Sequence, residues 1–126
     1  MSLEGYFQTW STVPETTDGD DHDVSVVEIP EDTSITFDVV VMAKSLSGVH
    51  ATWRQQATFR RNGSGNAAVV GAVLNIISAQ KELGALLWDA DIVVADNTLK
   101  VRIKGATSVD VGWLLYGTWG LVTITE

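Results

Sequence analysis

The densest group of chemically capable side chains is Thr17-Asp18-Gly19-Asp20-Asp21-His22-Asp23. Asp18, Asp20, Asp21 and Asp23 offer the hard oxygen donors that Ca²⁺ takes. Their spacing departs from the EF-hand loop, which sets acids at alternate positions with glycine sixth and glutamate twelfth. A solvated loop, whose Asp side chains bond their own backbone, accounts for the same composition; apart from Ca²⁺ there, no cofactor is expected. A second group is Trp88-Asp89-Ala90-Asp91. Carboxylates two apart in an extended segment share one face, and an indole beside them can stack on a sugar, so Trp88, Asp89 and Asp91 form a candidate ligand site. A glycosidase would need two acids facing each other across a cleft, which neighbours on one strand face do not provide. Neither His22 nor His50 stands near a nucleophile motif, Gly-x-Ser-x-Gly is absent, and so is Gly-Lys-Ser/Thr. No catalytic apparatus is expected.

The other unusual feature is aromatic. Five tryptophans occur in 126 residues: Trp10, Trp53, Trp88, Trp113 and Trp119. Indoles bury large areas and are as much at home in cores and subunit interfaces as in sugar sites. In Val109–Thr125, Trp113 and Leu115 fall on one parity while Leu114 and Tyr116 fall on the other. A strand apolar on both faces is covered on both sides, so Trp113, Leu115, Tyr116 and Trp119 are expected at a seam between subunits. Gly112, Gly117 and Gly120 interrupt this run, which is long for one flat strand, and permit a bulge, a bend or a close backbone approach.

The elements that must carry these residues have a period of two. In Ser34–Lys44, Ile35, Phe37, Val39 and Val41 alternate with Thr36, Asp38, Val40 and Met42. In Val49–Arg61, Ala51, Trp53, Gln55, Ala57 and Phe59 share one side. In Asn97–Lys104, Leu99, Val101 and Ile103 oppose Lys100, Arg102 and Lys104, so a one-residue slip would bury three charges. Turns are expected at Arg61–Asn66, Asp96-Asn97, Ser45–Gly48, Lys104–Ser108 and Pro30–Thr33. Ser78–Leu87 carries apolar residues near a helical period, although Gly84 and a missing cap argue against a helix. Short strands separated by frequent turns predict a single all-β domain over residues 6–126, an antiparallel β-sandwich of jelly-roll type or a barrel. Pro14–Asp23 is the candidate for disorder, and Met1–Gly5 is expected to be a flexible start or a cloning remnant.

Charge narrows the function classes. The net charge is −8; residues 1–43 hold ten acids and no Lys or Arg, and the eight bases after them face six acids. Nucleic-acid binding needs a cationic surface that this chain lacks. No apolar window is long enough to span a bilayer as a helix, and the absence of cysteine rules out disulfides and thiolate metal sites.

Several of these segments also occur in a recognisable succession: Phe59-Arg60-Arg61 with its Gly/Ser/Asn turn, Ala68-Val69-Val70-Gly71, Trp88-Asp89-Ala90-Asp91, Ala95-Asp96, Leu99-Lys100-Val101-Arg102-Ile103-Lys104-Gly105 and Val111-Gly112-Trp113. The succession resembles a domain of tailed-bacteriophage virion proteins, found in tail fibres and tail spikes, over roughly residues 35–124. The resemblance implies a β-sandwich appendage domain, homotrimeric, serving as scaffold or host-surface adhesin. Its implied partners are copies of itself, other virion proteins and a host surface glycan. Its implied location is the virion, or the bacterial cytoplasm before assembly. It supplies no catalytic residues, and Gly112, Gly117 and the acidic loop depart from its pattern.

Overall fold

The computed structural model describes residues 1–126. Ten strands follow in order: β1 (Ser2–Thr12), β2 (Glu15–Thr16), β3 (Asp21–Glu28), β4 (Thr33–Ser45), β5 (His50–Arg61), β6 (Ala68–Val69), β7 (Leu74–Lys81), β8 (Asp89–Ala95), β9 (Thr98–Lys104) and β10 (Val111–Thr125). They form two antiparallel sheets, and the fold is an all-β sandwich. The larger sheet runs β1-β10-β4-β5, with β6 and β7 on the far side of β5 and β2 beside β10; the smaller runs β3-β9-β8.

Alternation in the chain becomes two faces in the structure. Ile35, Phe37, Val39, Val41, Trp53, Phe59, Trp113 and Leu115 point inward from the large sheet, meeting Ala90, Ile92, Leu99, Val101 and Ile103 of the small one. Trp53 stacks on Trp113 with ring centroids 5.7 Å apart, and Trp88 tilts against Trp113 at 6.4 Å. Hairpin tips fall where the turn chemistry places them. Asp96 and Asn97 both take positive φ (51° and 59°), the pair of left-handed residues that a two-residue hairpin loop needs. Gly48, at φ 95°, closes β4 onto β5.

Gln55 is the polar exception in the core. It stands on the inward side of β5 and is 7% exposed. Its amide nitrogen donates to the Ala90 carbonyl at 3.2 Å and its oxygen accepts from the Ile92 N–H at 3.1 Å. β8 is the edge of the small sheet, so one side chain from the opposite sheet satisfies two backbone groups that edge would otherwise bury unpaired.

The structure revises the expected disorder of Pro14–Asp23 and the expected interruption of the last strand, and it gives form to two further segments. Leu74–Lys81 is a strand on β5, with register shifts where it bends, and the only helical turn nearby is the 3₁₀ segment Leu83–Ala85. Ser78–Leu87 is therefore not a helix, in keeping with Gly84 and the missing cap. Pro14–Asp23 is ordered by pairing: Glu15–Thr16 bonds β10, and Thr16 Oγ1 accepts from Trp113 Nε1 at 2.9 Å. Ser2–Gly5 forms the first part of β1, opposite Val122–Thr125. β10 is one continuous strand of fifteen residues, and its register against β4 has no bulge from Val111 to Thr123.

Candidate functional site

The small sheet gathers most of the charged candidates on its outer face. Antiparallel register sets Asp21 and Asp89 on either side of Lys104, and Asp23 and Asp91 on either side of Arg102. Each row is therefore acid, base, acid, the favourable order for directly opposed cross-strand charges. Arg102 grips Asp23 with two hydrogen bonds, Nε to Oδ1 at 2.7 Å and Nη2 to Oδ2 at 3.1 Å. That contact holds the Asp23 carboxyl below its usual range. Asp91 is raised instead, first by desolvation and then by Asp89. Beyond β3, Asp18 Oδ1 accepts the Asp20 N–H at 3.0 Å and lies 2.8 Å from His22 Nε2. The bond to Asp18 raises the His22 pKa.

These shifts carry opposite signs for stability. Asp23 binds its proton more weakly folded than unfolded, so its contribution is present above the ordinary value of 3.8 and is lost as pH falls through the depressed one. His22 contributes below its unfolded value of 6.5 and loses that contribution as pH rises through the raised one. Asp91 imposes a penalty, full above its raised pKa and gone below 3.8. Asp91→Asn should therefore melt about 1–2 °C higher than the native protein at neutral pH, a modest gain because the group is solvent-screened. The gain should vanish by about pH 3. Thermal melts of both proteins across that range check it.

The predicted metal ligands do not converge. Asp18 turns to His22 and to its own loop, Asp23 is taken by Arg102, and no three His, Asp or Glu side chains come together as a metal-holding group. Trp88 is not a sugar platform either. It is 1% exposed, wedged against Trp113, with Nε1 lacking any hydrogen-bond partner, so its role is core area. Asp89 and Asp91 do share an exposed face, but the ring expected beside them points the other way, as period two requires of a neighbour.

Three of the four residues expected at a subunit seam lie in the core instead. Trp113, Leu115 and Trp119 belong to the core, at 1%, 0% and 6% exposure. Trp119 is closed over by the edge of Tyr6 from β1, centroids 5.4 Å apart. Tyr116 alone of the four faces outward, 42% exposed. Of the two apolar faces of β10, one meets the core and the other faces solvent.

That solvent-facing side of the large sheet is the most unusual surface of the molecule. Register aligns Leu114 with Met42, and Tyr116 with Val40, across β10 and β4. Phe7 and Leu3 on β1, Val122 and Ile124 on β10, and Leu74 and Ile77 on β7 add exposed apolar side chains. Val13, 73% exposed, joins Met42 and Leu114 in lining an apolar groove of about 420 Å³. Two charged residues unmarked as site candidates in the sequence, Asp38 and Arg54, line a neighbouring depression of about 490 Å³ with Tyr116, Thr9 and Ser11. Their signal was weak but present: Asp38 occupies the solvent parity of β4, among Val40 and Met42.

No family model and no curated protein matches the chain. Among solved structures, the tailspike protein of Acinetobacter baumannii phage AM24 is similar at a TM-score of 0.40 and 10% identity, over 92% of this chain. The match covers 26% of the tailspike chain, so this chain spans about a quarter of that protein. A likeness at that distance transfers no residue roles.

Proposed function

We propose that this chain is a structural domain of a tailed-phage appendage, a fibre, spike or head appendage, which acts by assembling with other copies of itself and with neighbouring virion proteins. The observation that carries the assembly role is the apolar outer face of the large sheet, with Leu3, Phe7, Met42, Leu114, Tyr116, Val122 and Ile124 all exposed. A row of large apolar side chains of this extent marks an interaction site on a soluble domain. The phage setting rests on the succession of strand and turn segments in the sequence, as do trimeric order and attachment to a host surface. No catalytic step is assigned. A carbohydrate site built on Trp88 has lost its platform, since that indole is enclosed.

Light scattering on the purified chain at micromolar concentration should give a multiple of the monomer mass. Replacing Leu114 and Tyr116 together by Lys should weaken association about 100-fold, at roughly tenfold for each anchor. The melting of the separated domain should be preserved, because neither side chain belongs to the core. A native protein that is monomeric at these concentrations overturns the assembly role.

A further inference from the structure

Lys44 and Arg60 lie toward opposite ends of the outer face, and at its centre Asp38 and Arg54 make one pair of opposite charges that bears on what covers it. Asp38 on β4 and Arg54 on β5 stand on adjacent strands. Asp38 is registered with Gln56, and Arg54 with Val40, two residues along. Both side chains are exposed and line the same depression. The ion pairs formed within the chain are Asp18–His22 and Asp23–Arg102, so neither Asp38 nor Arg54 is engaged in one. Around them lie Val40, Tyr116, Met42, Leu114 and Ile77, groups whose burial would exclude water from any contact made there.

We infer that this face is closed by another copy of the same chain, with Arg54 of one copy paired to Asp38 of the next. The inference rests on the assembly role and deepens it by naming the occupant and the contact. A surface bearing one plus and one minus side by side is complementary to itself. A symmetry axis passing between the two charges lays each on its opposite in the neighbouring copy. In a two-fold arrangement the contact forms twice; around a three-fold axis it closes a ring of three. Either way the apolar surround desolvates the pair, and arginine's planar fork matches a carboxylate in a way lysine does not. The wrong register sets like charges together, so the pair selects the arrangement while the apolar side chains supply the area.

Charge reversal tests this on the intact chain. Asp38→Arg and Arg54→Asp should each weaken self-association about 100-fold by sedimentation or light scattering, because each places like charges in contact. Melting of the monomer should change little, as both residues are exposed. The double variant Asp38→Arg/Arg54→Asp restores opposite signs and should recover association to within about tenfold of native. An equimolar mixture of the two single variants tells the two symmetries apart: it pairs fully in a two-fold dimer, while a ring of three keeps one like-charged contact. If the native chain associates and the single reversals leave it unaffected, the Arg54–Asp38 contact is wrong while the assembly role stands. If the double variant fails to recover, the pairing is likewise wrong. A native chain that stays monomeric overturns both.

Discussion

Ile103→Asp is expected to abolish folding, whereas Lys104→Asp, one residue later, leaves a folded protein. Ile103 is fully buried between the sheets, on the strand flanked by both β3 and β8. A carboxylate there has no cation within the core to pair with. It would lose the isoleucine's burial, about 1.5–3 kcal/mol, and add the larger cost of an unpaired charge. Together these exceed a large part of the roughly 5–15 kcal/mol that holds a domain of this size. Lys104 lies on the wet face between Asp21 and Asp89. Reversing its charge sets three acids in a row, so the substitution should cost about 1–2 kcal/mol, from two unfavourable cross-strand pairs. Denaturant melts decide it: a folded Ile103→Asp protein, or equal losses at the two positions, would mean that the faces of β9 are assigned wrongly.

Gly117→Ala should be the second most damaging change, at about 3–5 kcal/mol, from backbone collision and lost cross-strand bonds. A Cβ built on Gly117 would collide with the Asp38 carbonyl oxygen and sit 3.0 Å from Val39 Cα. These are backbone atoms of the adjacent strand and cannot swing aside, so β4 and β10 would have to part at the centre of the large sheet. Gly112 and Gly120 supply the controls. The nearest atoms to their Cβ positions are at 3.9 and 3.8 Å, ordinary contact distance. Alanine at either should change stability by no more than about 1 kcal/mol, with a gain possible from the stiffer unfolded chain. Comparing the three alanine variants by chemical denaturation distinguishes a close approach at one residue from a general need for glycine in β10. Because Asp38 also faces the outer depression, Gly117→Ala should disturb self-association along with stability.

Much of the fold was legible in the chain. The alternation in Ser34–Lys44, Val49–Arg61 and Asn97–Lys104 records which side of each strand meets water, and a strand's side chains must alternate. Hence the inward sets Ile35–Phe37–Val39–Val41 and Leu99–Val101–Ile103, and the tips at Ser45–Gly48 and Asp96-Asn97, follow from local chemistry and stand as expected. Where the local pattern is weak, partners distant in the chain decide. Leu74–Lys81 has little preference of its own and takes its form from hydrogen bonds to β5, and Glu15–Thr16 is ordered by β10. Neither partner is visible in a local window.

The candidate site lay mostly beyond local reach. Alternation alone reports that β10 is apolar on both faces, not which face is core. That choice is made by the small sheet, which covers the side bearing Trp113, Leu115 and Trp119 and leaves Leu114 and Tyr116 in solvent. The same long-range pairing brings Asp23 to Arg102 across 79 residues and gives Asp38 and Arg54 a common depression. Sequence by itself determined that the chain makes strands, where most of them turn and which side of each is apolar, because those follow from neighbours along the backbone. Only the tertiary structure decided which apolar side is left bare and which charges meet, because both depend on strands far apart in the chain lying side by side.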